Sequence, residues 1–464
     1  MSELVLSKNA KIAVVGAGPA GIHMAASLRK RGYSKIVLLE QGDRVGGKTR
    51  SETCGQISHE IGTTSFECRP GSALHAFLHE VRPDYREESY PVDLLKLTKD
   101  TFYRRSVTSG RLRRAHRRFQ LLAHRRAFYR AYERLVAKGY PFAVDKNDTQ
   151  TLALLGQSTK DFLLNNKLHL FYRYLQNRVI GYGYGRLEDI PAYYGIALLE
   201  RNYISCEPYI IFERGNASLW QAAIQKYDLD VRLNTAVEHI DHEHYERTKK
   251  VALTLNAAGQ RTRENYDLAI ITTPYSMAAH LPAPVSACFG RAKSHAYTVT
   301  MLQADQRKSY DKTFCAEYST RVSSSFDHEL VCMLNFSKIR HMSEGNIGPI
   351  DNTYLAFQLS DQAHDALGEH DLLARLNEQL MEHFDRTKGA HRVKLQHTWS
   401  NYSPHLPGSS IQAGDLQRIE AEQGKHGLWY LGSSISGELV SLVLEHNTHI
   451  LRRLADTSQD RRVA

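Results

Sequence analysis

Gly16-Ala-Gly-Pro-Ala-Gly21, followed by Glu40, are the residues of this 464-residue chain whose types and spacing promise a chemistry. Gly16 permits a tight turn, Gly18 lets a backbone approach a pyrophosphate, and Gly21 allows close packing of helix on strand. Pro19 and Ala20 occupy the two positions between the last glycines. Glu40 stands nineteen residues past Gly21, where a carboxylate binds both hydroxyls of an adenosine ribose. The pattern predicts a dinucleotide site.

The elements needed to hold those residues are legible around them. KIAVV (11–15) is an apolar run of strand type, and IHMAASLRKRG (22–32) carries Ile22, Ala25, Ala26 and Leu28 as a helical stripe. A second apolar run, KIVLL, leads straight into Glu40. The helix N-terminus offers free N–H groups and a positive dipole end to phosphates. After Glu40 comes QGDRVGGKTRSE, where Gly46 and Gly47 lie between Arg44 and Lys48. Nothing later repeats strand, GxGxxG and helix: Gly181-Tyr-Gly-Tyr-Gly185 has no apolar strand before it. One dinucleotide site and no dedicated nicotinamide domain are expected.

The QGDRVGGKTRSE stretch resembles the extension after the Rossmann unit in the flavin amine oxidase superfamily, and the likeness continues in patches along the chain. It implies FAD as the dinucleotide, with contacts from Gln41, Arg44, Gly47, Lys48 and Thr49. Gly62-Thr63-Thr64 resembles the stretch beside the isoalloxazine. Val237 matches a residue whose backbone holds adenine, and Thr273 lies in the Thr-Pro turn that leaves the FAD domain. Gly432-Ser433 would meet the ribityl chain. A helix starting near Glu438, Leu439 and Val440 would aim its N-terminus at the flavin N1–C2=O edge, where reduction gathers negative charge. Ser433 replaces the acid typical of amine oxidases, and no cysteine lies near this closing motif, so non-covalent FAD is implied.

A narrower resemblance rests on GPAGIHMAASLRKRGY, GYGYGRLEDIPAYYGI, WSNYSPH and YLGSSISGELV. These are similar to a subgroup that includes polyunsaturated fatty acid isomerase and β-cyclopiazonate dehydrogenase. The likeness implies hydride transfer from a substrate C–H bond to flavin N5. It leaves open a redox-neutral isomerase, or an oxidase or dehydrogenase acting on an amine or secondary metabolite with oxygen as acceptor. A flavin-free binding module of the Rab escort type is a third reading, against which the intact glycines and Glu40 argue.

The expected fold class is α/β. A Rossmann-type FAD-binding domain is assembled from discontinuous segments 1–70, 207–276 and 398–464, with a helical cap at 71–206 and a mixed-sheet substrate domain at 277–397. Tyr182, Tyr184, Tyr193 and Tyr194 fall in a glycine- and proline-punctuated stretch. They either line an apolar tunnel or pack at a domain junction with satisfied hydroxyls. Tyr194 and His405 are the candidate catalytic side chains. A lone loop histidine is more often structural.

The net charge of +10 has a local origin. Residues 101–135 hold eleven arginines and one acid, Glu133, while the other 429 residues balance at 49 basic and 49 acidic groups. A nucleic-acid binder spreads its charge over a domain or face, so no nucleic acid partner is expected. On a helix from about Arg113 to Lys138, Leu121, Phe128, Tyr132 and Leu135 share a stripe, with Arg117, Arg118, Arg125 and Arg126 mostly off it. Three readings follow: a solvated face, a helix resting on an anionic membrane, or Arg125 and Arg126 clamping a substrate carboxylate. The partner expected is a small molecule, with an acid group under the last reading. The six cysteines lack CxxC spacing and the histidines lack HExxH, so no metal is expected. The N-terminus has no long apolar core and no run approaches 18 apolar residues, which suggests a soluble, cytoplasmic protein.

Overall fold

The computed structural model describes residues 6–55, 57–83, 90–91, 111–200, 208–212, 214–304, 316–318, 323–334, 353–361, 368–384 and 391–454. Residues 101–110 and the side chains at 111–119 and 121, including Arg117, Arg118 and Leu121, lie outside the described set.

KIAVV and KIVLL form β1 (Ile12–Val15) and β2 (Ile36–Leu39), joined by the helix Pro19–Lys30. Pro19 suits the first helical position, where its missing N–H is not needed. The strands pair in parallel with each other, and β1 also pairs in parallel with a much later strand, Leu268–Ile271. Side chains alternate between two cores. Ile12, Val14, Leu38 and Ile270 enter one, and Ala13, Val15, Leu39 and Ile271 the other. A parallel sheet buried on both faces reads as continuous apolar runs, as these do.

Between these strands the chain builds smaller antiparallel units. β3 (Ser51–Cys54) pairs with β4 (Ile57–Glu60). β5 (Phe66–Glu67) and β6 (Tyr90–Pro91) flank β7 (Pro208–Ile210). After β8 (Asp230–Arg232), the strands β9 (Thr235–Asp241), β10 (Val251–Ala257) and β11 (Gln260–Tyr266) make an antiparallel meander, and the chain then returns to the parallel sheet as β12 (Leu268–Ile271). The closing strand of the parallel sheet is β18 (Leu428–Tyr430), giving the order β18-β12-β1-β2-β8. Three stretches far apart in sequence thus share one sheet.

The second large sheet is β14 (Ala316–Tyr318), β15 (Glu329–Leu334), β16 (Thr353–Ser360), β13 (Lys293–Ala304) and β17 (His391–His405), in that order. Its described pairings are all antiparallel, narrower than the mixed sheet expected. The helix Glu369–Phe384 separates β16 from β17 in sequence, and these two strands run parallel to each other. They lie on either side of β13, antiparallel to both, so no parallel pair forms directly. β17 continues in this sheet through His405, across the boundary drawn at 398.

The helix Ala73–Val81 lies within the segment expected to form the cap. Its Leu74, Phe77, Leu78 and Val81, at i, i+3, i+4 and i+7, pack into the core beneath the helix Pro19–Lys30 rather than into a cap. The helices Arg111–Val136, Thr149–Gly156, Thr159–Asn165, His169–Gly181 and Ala192–Leu199 follow, and Phe128, Leu135, Phe162 and Phe171 join the other core. No helix among the described residues is long and apolar enough to cross a membrane.

Candidate cofactor site

Gly16 follows β1, Glu40 follows β2, Thr272 and Thr273 follow β12, and Gly432 follows β18 at one residue's remove. All stand at the carboxyl ends of adjacent parallel strands, on both sides of β1, where the strand order reverses. Open α/β sheets bind ligands at such a switch point.

Sterics explain the glycines. A Cβ on Gly21 would overlap the Gly16 carbonyl oxygen, and one on Gly432 would overlap the carbonyl oxygen of Thr272. Gly16 (φ +101°) and Gly432 (φ +105°) also adopt backbone conformations that other residues rarely reach. The second glycine pair belongs to the same construction: Gly46 N donates to Ala17 O at 2.8 Å. A Cβ on Gly47 would stand 3.1 Å from Gly18 Cα, so two backbones meet without side chains between them. Pro19 is half-buried and Ala20 buried behind this cradle.

Glu40 closes the cradle from β2. Its Oε2 accepts from Ala17 N at 2.9 Å and its Oε1 from Gly42 N at 2.8 Å. Each oxygen keeps further lone-pair capacity for a donor such as a ribose hydroxyl. Gln41 beside it is exposed. Arg44 braces the second glycine turn from within: Nη2 donates to Gly47 O at 2.8 Å and the guanidinium lies 5.8 Å from the Trp399 ring. Burial, then the charge of Arg50, lowers its pKa. Lys48 reaches across to Glu438, with Nζ 2.7 Å from Oε1. Thr49 is fully buried, 3.4 Å from the Thr63 hydroxyl, and Thr63 N donates to Lys48 O. Gly62 is buried under Lys48 and Trp399, and Thr64 is half-buried. Val237 is half-buried on β9, paired with Leu255, and Thr273 is exposed beside Gly16.

The closing motif forms a short turn of helix, Ser433–Ser436, and then the helix Val440–Leu451. Leu439 is its N-cap and supplies no side-chain acceptor, so its first N–H groups have no side-chain cap. Leu439 and Val440 are buried, and Ser433 is half-buried. In the first turn Ser441 is fully buried with its hydroxyl unpartnered. Glycine cradles that a Cβ would fill, a ribose-ready carboxylate, an uncapped helix start and an unpartnered hydroxyl together suit a dinucleotide.

The tyrosines divide. The Tyr184 hydroxyl meets the Glu438 backbone, and Tyr402 lies under Lys48, 5.0 Å from ring centroid to Nζ. Tyr182 is half-buried in the same neighbourhood. Tyr194 is committed elsewhere: its hydroxyl donates to Ser434 O at 3.0 Å and accepts from Leu406 N at 3.1 Å. Burial raises its pKa far above the ordinary value. These bonds suit a residue that positions the turn from Ser433 to Gly437. Tyr193 packs edge-on to Tyr140, inside the core. His405 is buried, with Nδ1 2.7 Å from Ser403 O, an acceptor only, so Nδ1 carries a proton. Burial brings its pKa down to about 4.

Arg125 and Arg126, adjacent in sequence, part company on their helix. Arg125 is half-buried, 5.9 Å over the Tyr129 ring, while Arg126 is exposed. Sequence reasoning missed Thr272, Trp399 and Tyr402 as neighbours of this candidate site, and it named Glu438 only as the start of a helix. Trp399 and Tyr402 lie in WSNYSPH, and Thr272 neighbours Thr273, so those signals were present. The Lys48–Glu438 pair left no local trace.

Residues 14–81 match the NAD(P)-binding Rossmann-like domain model. The flavin-containing monooxygenase FMO GS-OX-like 9 of Arabidopsis thaliana is 35% identical over 86 residues, 18% of this chain and 18% of that protein, so the matched stretch spans under a fifth of that relative. In structure, the chain is similar to a CLA-producing fatty acid isomerase from P. acnes, with TM-score 0.70 and 17% identity over 97% of this chain and 99% of that one. A putative protoporphyrinogen oxidase from Exiguobacterium sp. 255-15 gives TM-score 0.63 and 15% identity, covering 96% and 99% of the two chains. An oxidoreductase from Methanosarcina mazei gives 0.58 and 15%, covering 95% and 100%. At these identities the structures share the fold, which agrees with the superfamily resemblance drawn from the motifs.

Proposed function

We propose that this chain is an FAD-dependent oxidoreductase that takes hydride from a C–H bond of a small, mainly apolar substrate, with double-bond isomerisation of a fatty-acid-like molecule as its reaction. The observation that carries this reading is the meeting of Gly16, Gly47, Glu40 and Gly432, from separated stretches, at the carboxyl ends of adjacent parallel strands. The likeness in fold to a fatty acid isomerase over nearly the full chain supports the finer assignment. When bound, non-covalently in this reading, FAD supplies a two-electron acceptor that can return the hydride to another carbon of the same substrate.

The chain's own residues would hold and surround it. Glu40 offers carboxylate lone pairs to the ribose, and the glycine turns offer backbone N–H groups to the pyrophosphate. The uncapped start of Val440–Leu451 offers a positive dipole end to developing negative charge. The buried Tyr184 and Tyr402, beside Glu438 and Lys48, would supply apolar aromatic surroundings, which suits an apolar substrate and keeps water out. For an acid-bearing substrate, Arg125 is the half-buried member of the arginine pair.

The test is direct. Purified protein incubated with FAD turns yellow and stays yellow after desalting; a colourless protein overturns the reading. Anaerobic incubation with a linoleate-like acid in large excess then yields isomer well beyond one equivalent of flavin. Bleaching that persists until air enters identifies an oxidase instead.

A further inference from the structure

We propose that the outer face of the Arg111–Val136 helix is a docking surface for an anionic lipid bilayer. The proposal does not depend on the cofactor reading. The inner face is fixed: Phe128, Ala131 and Leu135 are buried in the core, so the opposite face is held outward. On that face Arg126, Arg130 and Arg134 repeat at intervals of four and are exposed. Nε of Arg130 donates to Arg126 O and Nε of Arg134 to Arg130 O, which lays those side chains along the helix. Among the described residues no carboxylate forms an ion pair with any of the three, and within residues 122–136 four arginines stand against one acid, Glu133, which leaves the stretch positive.

Two apolar side chains complete the surface. Leu122 is 51% exposed and Val136 45% exposed, half of the four exposed large hydrophobics among the described residues. They are fourteen residues apart, about 21 Å along the helix, and bracket the arginine row. A face that only meets solvent gains nothing from exposed Leu and Val, and usually intersperses acids. A nucleic acid backbone would use the arginines but has no use for the apolar pair. An anionic membrane uses both. Guanidinium groups bind lipid phosphates bidentately, and Leu122 and Val136 enter the boundary between headgroups and acyl chains.

The experiment is cosedimentation of the full-length protein with vesicles of phosphatidylcholine alone or mixed with phosphatidylserine, at low and high salt. Binding to the mixed vesicles, weakened by salt and near absent on pure phosphatidylcholine, is expected. Arg126→Gln/Arg130→Gln/Arg134→Gln should lose roughly 100-fold in partition, since each arginine near an anionic surface contributes about a fivefold factor. Leu122→Ser/Val136→Ser should lose at least about tenfold through its buried apolar area. All five positions are on the surface, and an unchanged circular dichroism spectrum confirms folding of the variants. No binding to mixed vesicles overturns the proposal, as does equal binding to pure phosphatidylcholine. Loss on removing the arginines without loss on removing Leu122 and Val136, or preferential capture by a single-stranded oligonucleotide at matched phosphate, identifies a polyanion site and also overturns it.

Discussion

The Lys48 ammonium lies 2.7 Å from Oε1 of Glu438, and the pair ties the second glycine turn to the residue before the N-cap of the last helix. Both side chains are largely withdrawn from water, at 28% and 11% exposure. A pair in such surroundings contributes mainly when neither partner is left alone. Lys48→Met and Glu438→Gln should each lower stability by about 1–2 kcal/mol, and the double variant by less than their sum, with a coupling of about 1 kcal/mol. Urea denaturation of the four proteins checks this. Strict additivity would show that the pair carries nothing.

The contact of Gly21 with the Gly16 carbonyl is between backbone atoms, so neither can swing aside. Gly21→Ala should cost about 1–3 kcal/mol by overpacking and abolish FAD retention. Gly368, with nothing within 4 Å of a built Cβ, is the control. Gly368→Ala should keep both colour and stability. Full FAD retention by Gly21→Ala would remove the cradle from the site.

Glu40 accepts one backbone N–H on each oxygen. In Glu40→Gln the amide nitrogen must face one of those donors. The variant should bind FAD about 10–100-fold more weakly, as expected for losing charge-assisted bonds of about 1.5–3 kcal/mol. Fluorescence titration of the apoprotein measures it, and an unchanged dissociation constant would refute the role.

Tyr194 donates to Ser434 O and accepts from Leu406 N. Tyr194→Phe leaves both backbone groups short of a partner, at about 1–3 kcal/mol. The expected result is a lower Tm with most of the turnover retained and an unchanged pH profile. A hundredfold fall in kcat with normal Tm would instead make its hydroxyl a catalytic group.

His23, His405 and His446 are buried, and burial above all takes each from the ordinary 6.5 down to about 4. The unfolded chain binds their protons near pH 6.5, whereas the folded chain resists them until about pH 4. Stability is therefore full above pH 6.5 and falls as the pH drops through that window, by about 2 kcal/mol per histidine between pH 7 and 5. Urea midpoints measured across this range should fall steeply, and His446→Phe should flatten the slope. A midpoint independent of pH from 7 to 5 would contradict the burial of these rings.

Some features were legible because they are local. The turn from Gly16 to Gly21, its strand and helix, and the acid at 40 are consecutive, and each glycine answers a steric demand made by its near neighbours. The stripe on the arginine helix was legible by periodicity, and Phe128 and Leu135 are buried as it implied. Segment boundaries were harder. The amphipathic Ala73–Val81 helix has one apolar face, and periodicity reveals the face without saying which core receives it. β17 likewise carries one sheet past 398 because its register with β13 extends to His405.

By itself the sequence determined where a dinucleotide-type turn forms, since backbone sterics and hydrogen bonding over some thirty residues dictate it. It also determined that the whole excess charge falls between residues 101 and 135. Only the tertiary structure decided the partners of the polar groups. Lys48 finds Glu438, the Tyr194 hydroxyl is occupied by Ser434 and Leu406, and Arg125 turns inward while Arg126 faces out. The reason is physical: a side chain's type states what it can bond, whereas its partner depends on which distant backbone the packing of apolar faces brings within about 3 Å.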